Sequence, residues 1–150
     1  MKIFDISVPV DPQLPVWPGD PQIVLERYRS LSKGDTSNDS RLACSVHCGT
    51  HVDAPAHFIE NGATIEQLPL EILVGAVTVV EVPEIDVITP DLLENQRLDS
   101  QTKRLLLKTK NSDLWANPEH QFNPNFAALS AESASWIVDK GLKLVGIDYL

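Results

Sequence analysis

Leu73–Val82 reads LVGAVTVVEV, the stretch of the sequence richest in β-branched residues, and it predicts a central strand. Alternating patterns predict further strands at residues 4–10 and 23–30, and two more strands are expected at residues 104–109 and 142–150. Two helices are expected to begin at the polar N-cap residues Thr89 and Ser130. Because strands outnumber helices and do not alternate strictly with them, we predict an α/β fold with a mixed β-sheet.

The length, charge and hydrophobicity of the chain argue against nucleic-acid and membrane partners. Its 150 residues fit one domain, residues 1–150, with a real hydrophobic core. The formal charge of −9 repels phosphate backbones, so we expect no nucleic-acid partner. No segment approaches the roughly 20 apolar residues of a membrane-spanning helix, and the first residues lack the layout of a signal peptide. We therefore expect a cytoplasmic protein with no membrane partner.

Three of the four histidines lie in residues 47–57, which read HCGTHVDAPAH. Imidazole and carboxylate groups are the ligands that zinc, manganese and iron prefer. Glycine, proline and β-branched residues within the segment argue against a helix. In a straight strand, His47 and His51 would lie about 13 Å apart, which is too far for one shared ion. The chain must therefore bend between them, and Gly49 is the residue that permits the bend.

Three other interpretations of this segment stay open. The histidines could be ordinary core or surface residues, although their clustering argues against coincidence. Cys44, His47, Cys48 and His51 could form a structural zinc site, although their spacing matches no standard zinc finger. An Asp–His pair could instead activate Thr50 or a cysteine as a nucleophile. Two cysteines are too few for a disulfide framework, so we predict reduced thiols.

Residues 45–58, SVHCGTHVDAPAHF, resemble the HxGTHxDxPxH signature of the cyclase family of metal-dependent hydrolases. This family includes bacterial kynurenine formamidases and isatin hydrolases. Further resemblances lie along the rest of the chain, at DIS (5–7), PVWPGD (15–20), LLKT with Asn111 (106–111) and KLVGID (143–148). The resemblance therefore covers essentially the whole chain, and it implies a swivelling β/β/α fold that assembles as a homodimer or larger homo-oligomer.

The resemblance also implies the roles of individual residues. His47, His51 and Asp53 correspond to the metal ligands, with Asp53 placed to bridge two ions. The expected cofactor is a divalent metal, with zinc as the first choice and manganese as the alternative. His57 corresponds to the acid–base residue.

The implied activity is the hydrolysis of a small-molecule amide. The leading specific reaction converts N-formylkynurenine to kynurenine and formate, which makes the protein an arylformamidase. Trp17 and Phe58 are expected to bind the apolar part of the substrate. Two alternatives stay open: a lactam hydrolase like isatin hydrolase, and a catalytically impaired metal-binding or oligomeric module of the same fold.

The sequence departs from the family pattern near its end. Family members continue beyond the strand matched by residues 143–148 into a segment with another histidine and a glutamate, which complete the metal site. This sequence ends at Leu150, and its remaining histidine, His120, is predicted to be exposed in a polar loop. We therefore expect the domain to be incomplete at its C-terminus, with no ligands for a second ion from these residues.

Overall fold

The computed structural model describes residues 2–116 and 121–150. His120, predicted to be an exposed loop residue, lies outside the described residues. The chain folds into two units. We call them the N-terminal unit (described residues 2–53, 121, 122 and 150) and the sheet unit (described residues 54–116 and 123–149).

The N-terminal unit contains one antiparallel pair of strands. These are β1 (Val24–Arg29) and β2 (Asp39–Ala43). Leu25 lies opposite Leu42, and both side chains remain about half exposed, at 50% and 54%. The strand predicted over residues 23–30 is thereby confirmed, to within one residue at each end.

Residues 4–10 form no strand, so that prediction is wrong. The chain bends at two aspartates, one within this segment and one directly after it. Asp5 Oδ1 accepts the Ser7 N–H at 3.0 Å, and Asp11 Oδ1 accepts the Gln13 N–H at 2.7 Å. Pro9 in addition removes one backbone donor from a strand ladder. These local bonds compete with the strand that the alternating apolar pattern indicates.

The sheet unit contains the remaining strands and all the α-helices of the described chain. In chain order they are α1 (Leu70–Leu73), β3 (Thr78–Val82), β4 (Val87–Ile88), α2 (Pro90–Asn95), β5 (Arg104–Thr109), β6 (Ala128–Leu129), α3 (Ala131–Asp139) and β7 (Leu144–Ile147). The parallel strands β3, β5 and β7 form one sheet with β5 in the middle, and β4 pairs with β6. Parallel and antiparallel pairs are both present, and the predicted α/β class is confirmed.

The hydrophobic core of the sheet unit joins the sheet to α2 and α3. Leu105 and Leu107 of β5 are 0% and 2% exposed, and they belong to one cluster with Leu93 of α2 and Ile137 of α3. Burial of such a side chain contributes about 1.5–3 kcal/mol. No helix among the described residues has the length and apolar character needed to cross a membrane.

The predicted helix starts are confirmed. Thr89 caps α2, where its Oγ1 accepts the Leu92 N–H at 3.4 Å. Ser130 caps α3, where its Oγ accepts the Ser133 N–H at 3.1 Å. Each cap satisfies a backbone donor that has no partner within its helix.

Strand β3 begins at Thr78 rather than at Leu73, so the predicted start is wrong. Leu73 instead ends α1, and Gly75 follows with a φ of 145°. The cause lies in β5, where the Arg104 guanidinium donates hydrogen bonds to four backbone carbonyls, those of Glu71, Ile72, Val74 and Ala76. These bonds hold the segment before β3 in a turn that its β-branched composition does not predict.

Hydrogen bonds of Asp148 connect the carboxyl end of β7 to that of β5. Its carboxylate accepts the N–H and hydroxyl of Thr109, both at 2.8 Å. It also accepts the N–H of Ser112 at 3.1 Å and its hydroxyl at 2.5 Å. Hydrogen bonds to a charged acceptor are about twice as strong as neutral ones, so this cluster stabilises the sheet edge.

Replacing Asp148 with asparagine is expected to lower the free energy of unfolding by about 2–4 kcal/mol. The asparagine amide would turn N–H groups toward the donors of Thr109 and Ser112. Urea unfolding of both proteins measures the difference. Asp113→Asn, at an exposed position in the neighbouring 3-10 segment, should stay within about 0.5 kcal/mol of the original protein. Equal stability of the two variants would contradict the stabilising role of the Asp148 hydrogen bonds.

Candidate metal centre

The histidine segment bends where the sequence predicted. Residues 46–50 form a continuous bend that follows β2, and Gly49 lies in the left-handed region with a φ of 61°. A Cβ atom at Gly49 would lie only 3.0 Å from the Val10 side chain. The conformation therefore favours glycine, the neighbouring Val10 side chain would have to shift for a larger residue, and the predicted bend is confirmed.

This bend brings together three side chains of the N-terminal unit. Asp53 Oδ1 lies 2.6 Å from His47 Nδ1 and 3.4 Å from His51 Nε2. One potential ligand atom from each residue lies within 4.8 Å of the other two. Ligand atoms about 2.1 Å from a tetrahedral ion are roughly 3.4 Å apart, so the group is close to the dimensions of a metal site.

A hydrogen bond to the backbone orients the His51 ring. Its Nδ1 lies 2.9 Å from the carbonyl oxygen of Gly49. A carbonyl oxygen only accepts, so Nδ1 donates this bond, and Nε2 is the ring atom that lies toward the Asp53 carboxylate. A backbone carbonyl that accepts from one ring nitrogen and so orients the other is typical of metal-binding histidines. The residues present therefore fit a divalent metal.

The two cysteines have a different environment from that of a zinc ligand. Cys44 and Cys48 are free and half-buried. Burial raises the pKa of Cys48, and a hydrogen bond with Cys44 raises it further. A raised pKa favours the thiol over the thiolate that binds zinc. Among the described residues, the group with metal-site dimensions contains no cysteine, which argues against the alternative of a structural Cys–His zinc site.

The other predicted site residues lie on short turns and loops. His57 ends the 3-10 turn Pro55–His57 of the sheet unit, and its ring centroid lies 3.9 Å from that of Phe58. Phe58 is 85% exposed. Trp17, in the N-terminal unit, is 45% exposed and makes an edge-to-face contact with Phe122 at 5.0 Å between centroids. The acid–base role of His57 and the substrate roles of Trp17 and Phe58 stay predictions.

Sequence reasoning missed two parts of this arrangement. One is Phe122, which lies about a hundred residues from Trp17 and shares no motif with it. The other is the Gly49 carbonyl that orients His51. A backbone carbonyl is present in every residue, so the residue types do not identify the one that accepts this hydrogen bond. The predicted bend at Gly49 was the only signal in the sequence for it.

Comparisons with known proteins identify the family of the chain. The Cyclase family model, described as "Putative cyclase", matches residues 4–150. The chain is 35% identical to Cyclase-like protein 1 of Arabidopsis thaliana, over 99% of this chain and 62% of that protein. A solved structure described as a potential metal-dependent hydrolase with cyclase activity is 32% identical, with a TM-score of 0.78, over 98% of this chain and 67% of that one.

A more distant structure supports the fold alone. Isatin hydrolase A from Labrenzia aggregata, bound to benzyl benzoate, is 20% identical with a TM-score of 0.78, over 97% of this chain and 67% of that one. The chain spans 57–62% of the length of the curated relatives it matches. Since the family model and these relatives match nearly every residue of the sequence, the chain belongs to the Cyclase family.

Proposed function

We propose that the protein is a metal-dependent hydrolase of amide bonds, and that its leading activity is that of an arylformamidase. This activity converts N-formylkynurenine and water to kynurenine and formate. The observation that carries the proposal is the group formed by His47, His51 and Asp53, whose potential ligand atoms all lie within 4.8 Å of one another. The description of a family relative as a potential metal-dependent hydrolase supports it.

In this proposal His47, His51 and Asp53 hold a divalent metal, with zinc as the first choice and manganese as the alternative. A metal bound there would lower the pKa of a water molecule toward about 7 and polarise the scissile carbonyl. The side chains of His47 and His51 are 30% and 22% exposed. Water and a small substrate can therefore reach the donor group from one side.

His57 is proposed to move the proton. Its imidazole takes a proton from the attacking water and later gives it to the nitrogen of the leaving amine. The bond from the carbonyl carbon to this nitrogen breaks, and the water oxygen leaves within formate. His57 suits the exchange because an imidazole ring can both accept and donate a proton and because its side chain is exposed to solvent.

Trp17 and Phe58 are proposed to bind the apolar part of the substrate. The Trp17 ring makes an edge-to-face contact with Phe122. Phe122 itself lines an open cleft of about 550 Å³ in the N-terminal unit, together with residues 12–16. A flat indole beside a cleft of this size suits an aromatic amide.

We also propose that the protein is a homo-oligomer, a dimer or larger, and is located in the cytoplasm. Two-stranded ribbons are marginally stable by themselves. The paired Leu25 and Leu42 of β1 and β2 are about half exposed, which favours a protein surface against this ribbon. Residues 1–150 are proposed to belong to one cyclase domain, because the family match runs through both units.

The proposed reaction is tested by incubating the zinc-loaded chain with N-formylkynurenine and measuring formate. Release of formate that stops on chelation of the metal supports the arylformamidase. Ring opening of isatin without formate release would replace it with the lactam hydrolase, an alternative that the fold shared with isatin hydrolase A favours. Zinc binding without turnover of either substrate would favour the catalytically impaired metal-binding module.

A further inference from the structure

We propose that Thr50 is a positioning residue, which fixes the metal loop (residues 46–53) by tying it to the N-terminal strap (residues 8–14). The inference rests on the proposed metal centre. It assigns a role to a hydroxyl that is neither a ligand nor an acid–base group in the proposed reaction.

The first observation is a long-range hydrogen bond. The N–H of Val8 donates to Thr50 Oγ1 at 2.9 Å, across 42 positions of sequence. Val8 lies in the segment that forms no strand, so its N–H has no place in a strand ladder. The threonine hydroxyl therefore takes over the role of a backbone acceptor for the strap.

The second observation is close packing over Gly49, the residue before Thr50. A Cβ placed on Gly49 would lie 3.0 Å from Val10, 3.5 Å from Leu14 and 3.7 Å from Val8. Leu14 is only 9% exposed, and its N–H donates to the Asp11 carbonyl at 3.1 Å. Three side chains of the strap therefore border the space beside Gly49, in addition to the hydrogen bond to Thr50.

These contacts act on His51 through one peptide plane. The carbonyl of Gly49 and the N–H of Thr50 belong to the same planar peptide. That carbonyl accepts the His51 Nδ1 proton and so directs Nε2 toward Asp53. Glycine permits many orientations of this plane. An anchor at Thr50 selects the orientation in which His51 is ready to bind the ion.

The test compares Thr50→Val, which keeps the shape but loses the acceptor, with Thr50→Ser, which keeps the acceptor. Zinc dissociation constants are measured by competition with a chelating dye. We expect Thr50→Val to bind zinc about 10-fold more weakly, since loss of a group that orients a ligand costs 10–100-fold in affinity. Thr50→Ser should stay within about twofold of the original protein.

A second measurement distinguishes positioning from a general loss of stability. Coupling between two sites is reciprocal, so zinc should slow hydrogen exchange at the Val8 amide of the original protein and of Thr50→Ser. The same amide in Thr50→Val should exchange equally fast with and without zinc. The unfolding midpoints of the metal-free variants show whether the fold itself has changed.

Three results would overturn the inference. Equal zinc affinity in Thr50→Val and the original protein would exclude the positioning role of Thr50 without affecting the proposed metal centre. Equal weakening in Thr50→Val and Thr50→Ser removes it as well, because the hydroxyl then is not the cause. Absence of zinc binding by the original protein removes the metal centre and this inference together.

Discussion

Replacing Asp53 with asparagine is expected to weaken zinc binding at least about 100-fold, which is more than the loss of a residue that only orients a ligand. Asp53 provides the one anionic group of the cluster, and its Oδ1 contacts both imidazole rings. Asparagine keeps the shape of the side chain but removes the charge that attracts the cation. Competition titration with a chelating dye measures the dissociation constants of both proteins.

The matched control for this substitution is Glu60→Gln. It also converts an exposed carboxylate to an amide, but in the sheet unit, away from the proposed ligands in sequence. Its dissociation constant should stay within about twofold of the original value. An Asp53→Asn protein that binds zinc as tightly as this control would exclude Asp53 as a ligand.

Substitution of His57 is expected to have a large effect on the rate of formate release. Replacing His57 with glutamine should lower kcat for formate release by about 10²–10⁴-fold, because glutamine cannot accept and return a proton. Zinc affinity should change less than about twofold. His57 is not a member of the group of potential ligands, which consists of His47, His51 and Asp53.

His120→Gln is the control for this experiment, because it removes the remaining histidine of the sequence. We expect its kcat to equal that of the original protein. The proposed role of His57 fails if both variants keep full turnover. It also fails if His57→Gln loses zinc together with its activity, since His57 would then act as a ligand.

Elements whose signals are local could be predicted from the sequence. The strand at residues 104–109 contains three consecutive leucines, and the structure gives it the predicted bounds. The helices that begin after Thr89 and Ser130 could also be predicted, because each cap residue accepts a hydrogen bond from a backbone N–H only three residues further along the chain. The bend at Gly49 could be predicted because two histidines that are proposed to share one ion must lie closer together than a straight strand allows.

Features that depend on distant contacts could not be predicted. Strand β3 starts late because Arg104, some thirty residues away, binds the carbonyls of the preceding turn. The segment at residues 4–10 has a strand pattern, but Asp5 bonds to Ser7 and Val8 bonds to Thr50. In the metal loop, residue types reveal the donors but not the backbone carbonyl that orients one of them.

In the proposed metal centre, two imidazoles and a carboxylate hold one ion, without a thiolate. X-ray absorption at the zinc edge tests this ligand set on the 150-residue chain loaded with one equivalent of zinc. We expect only nitrogen and oxygen neighbours at about 2.0–2.2 Å, with the outer-shell scattering of imidazole rings. A sulfur neighbour at about 2.3 Å would contradict it, because the ion would then be bound by Cys44 or Cys48.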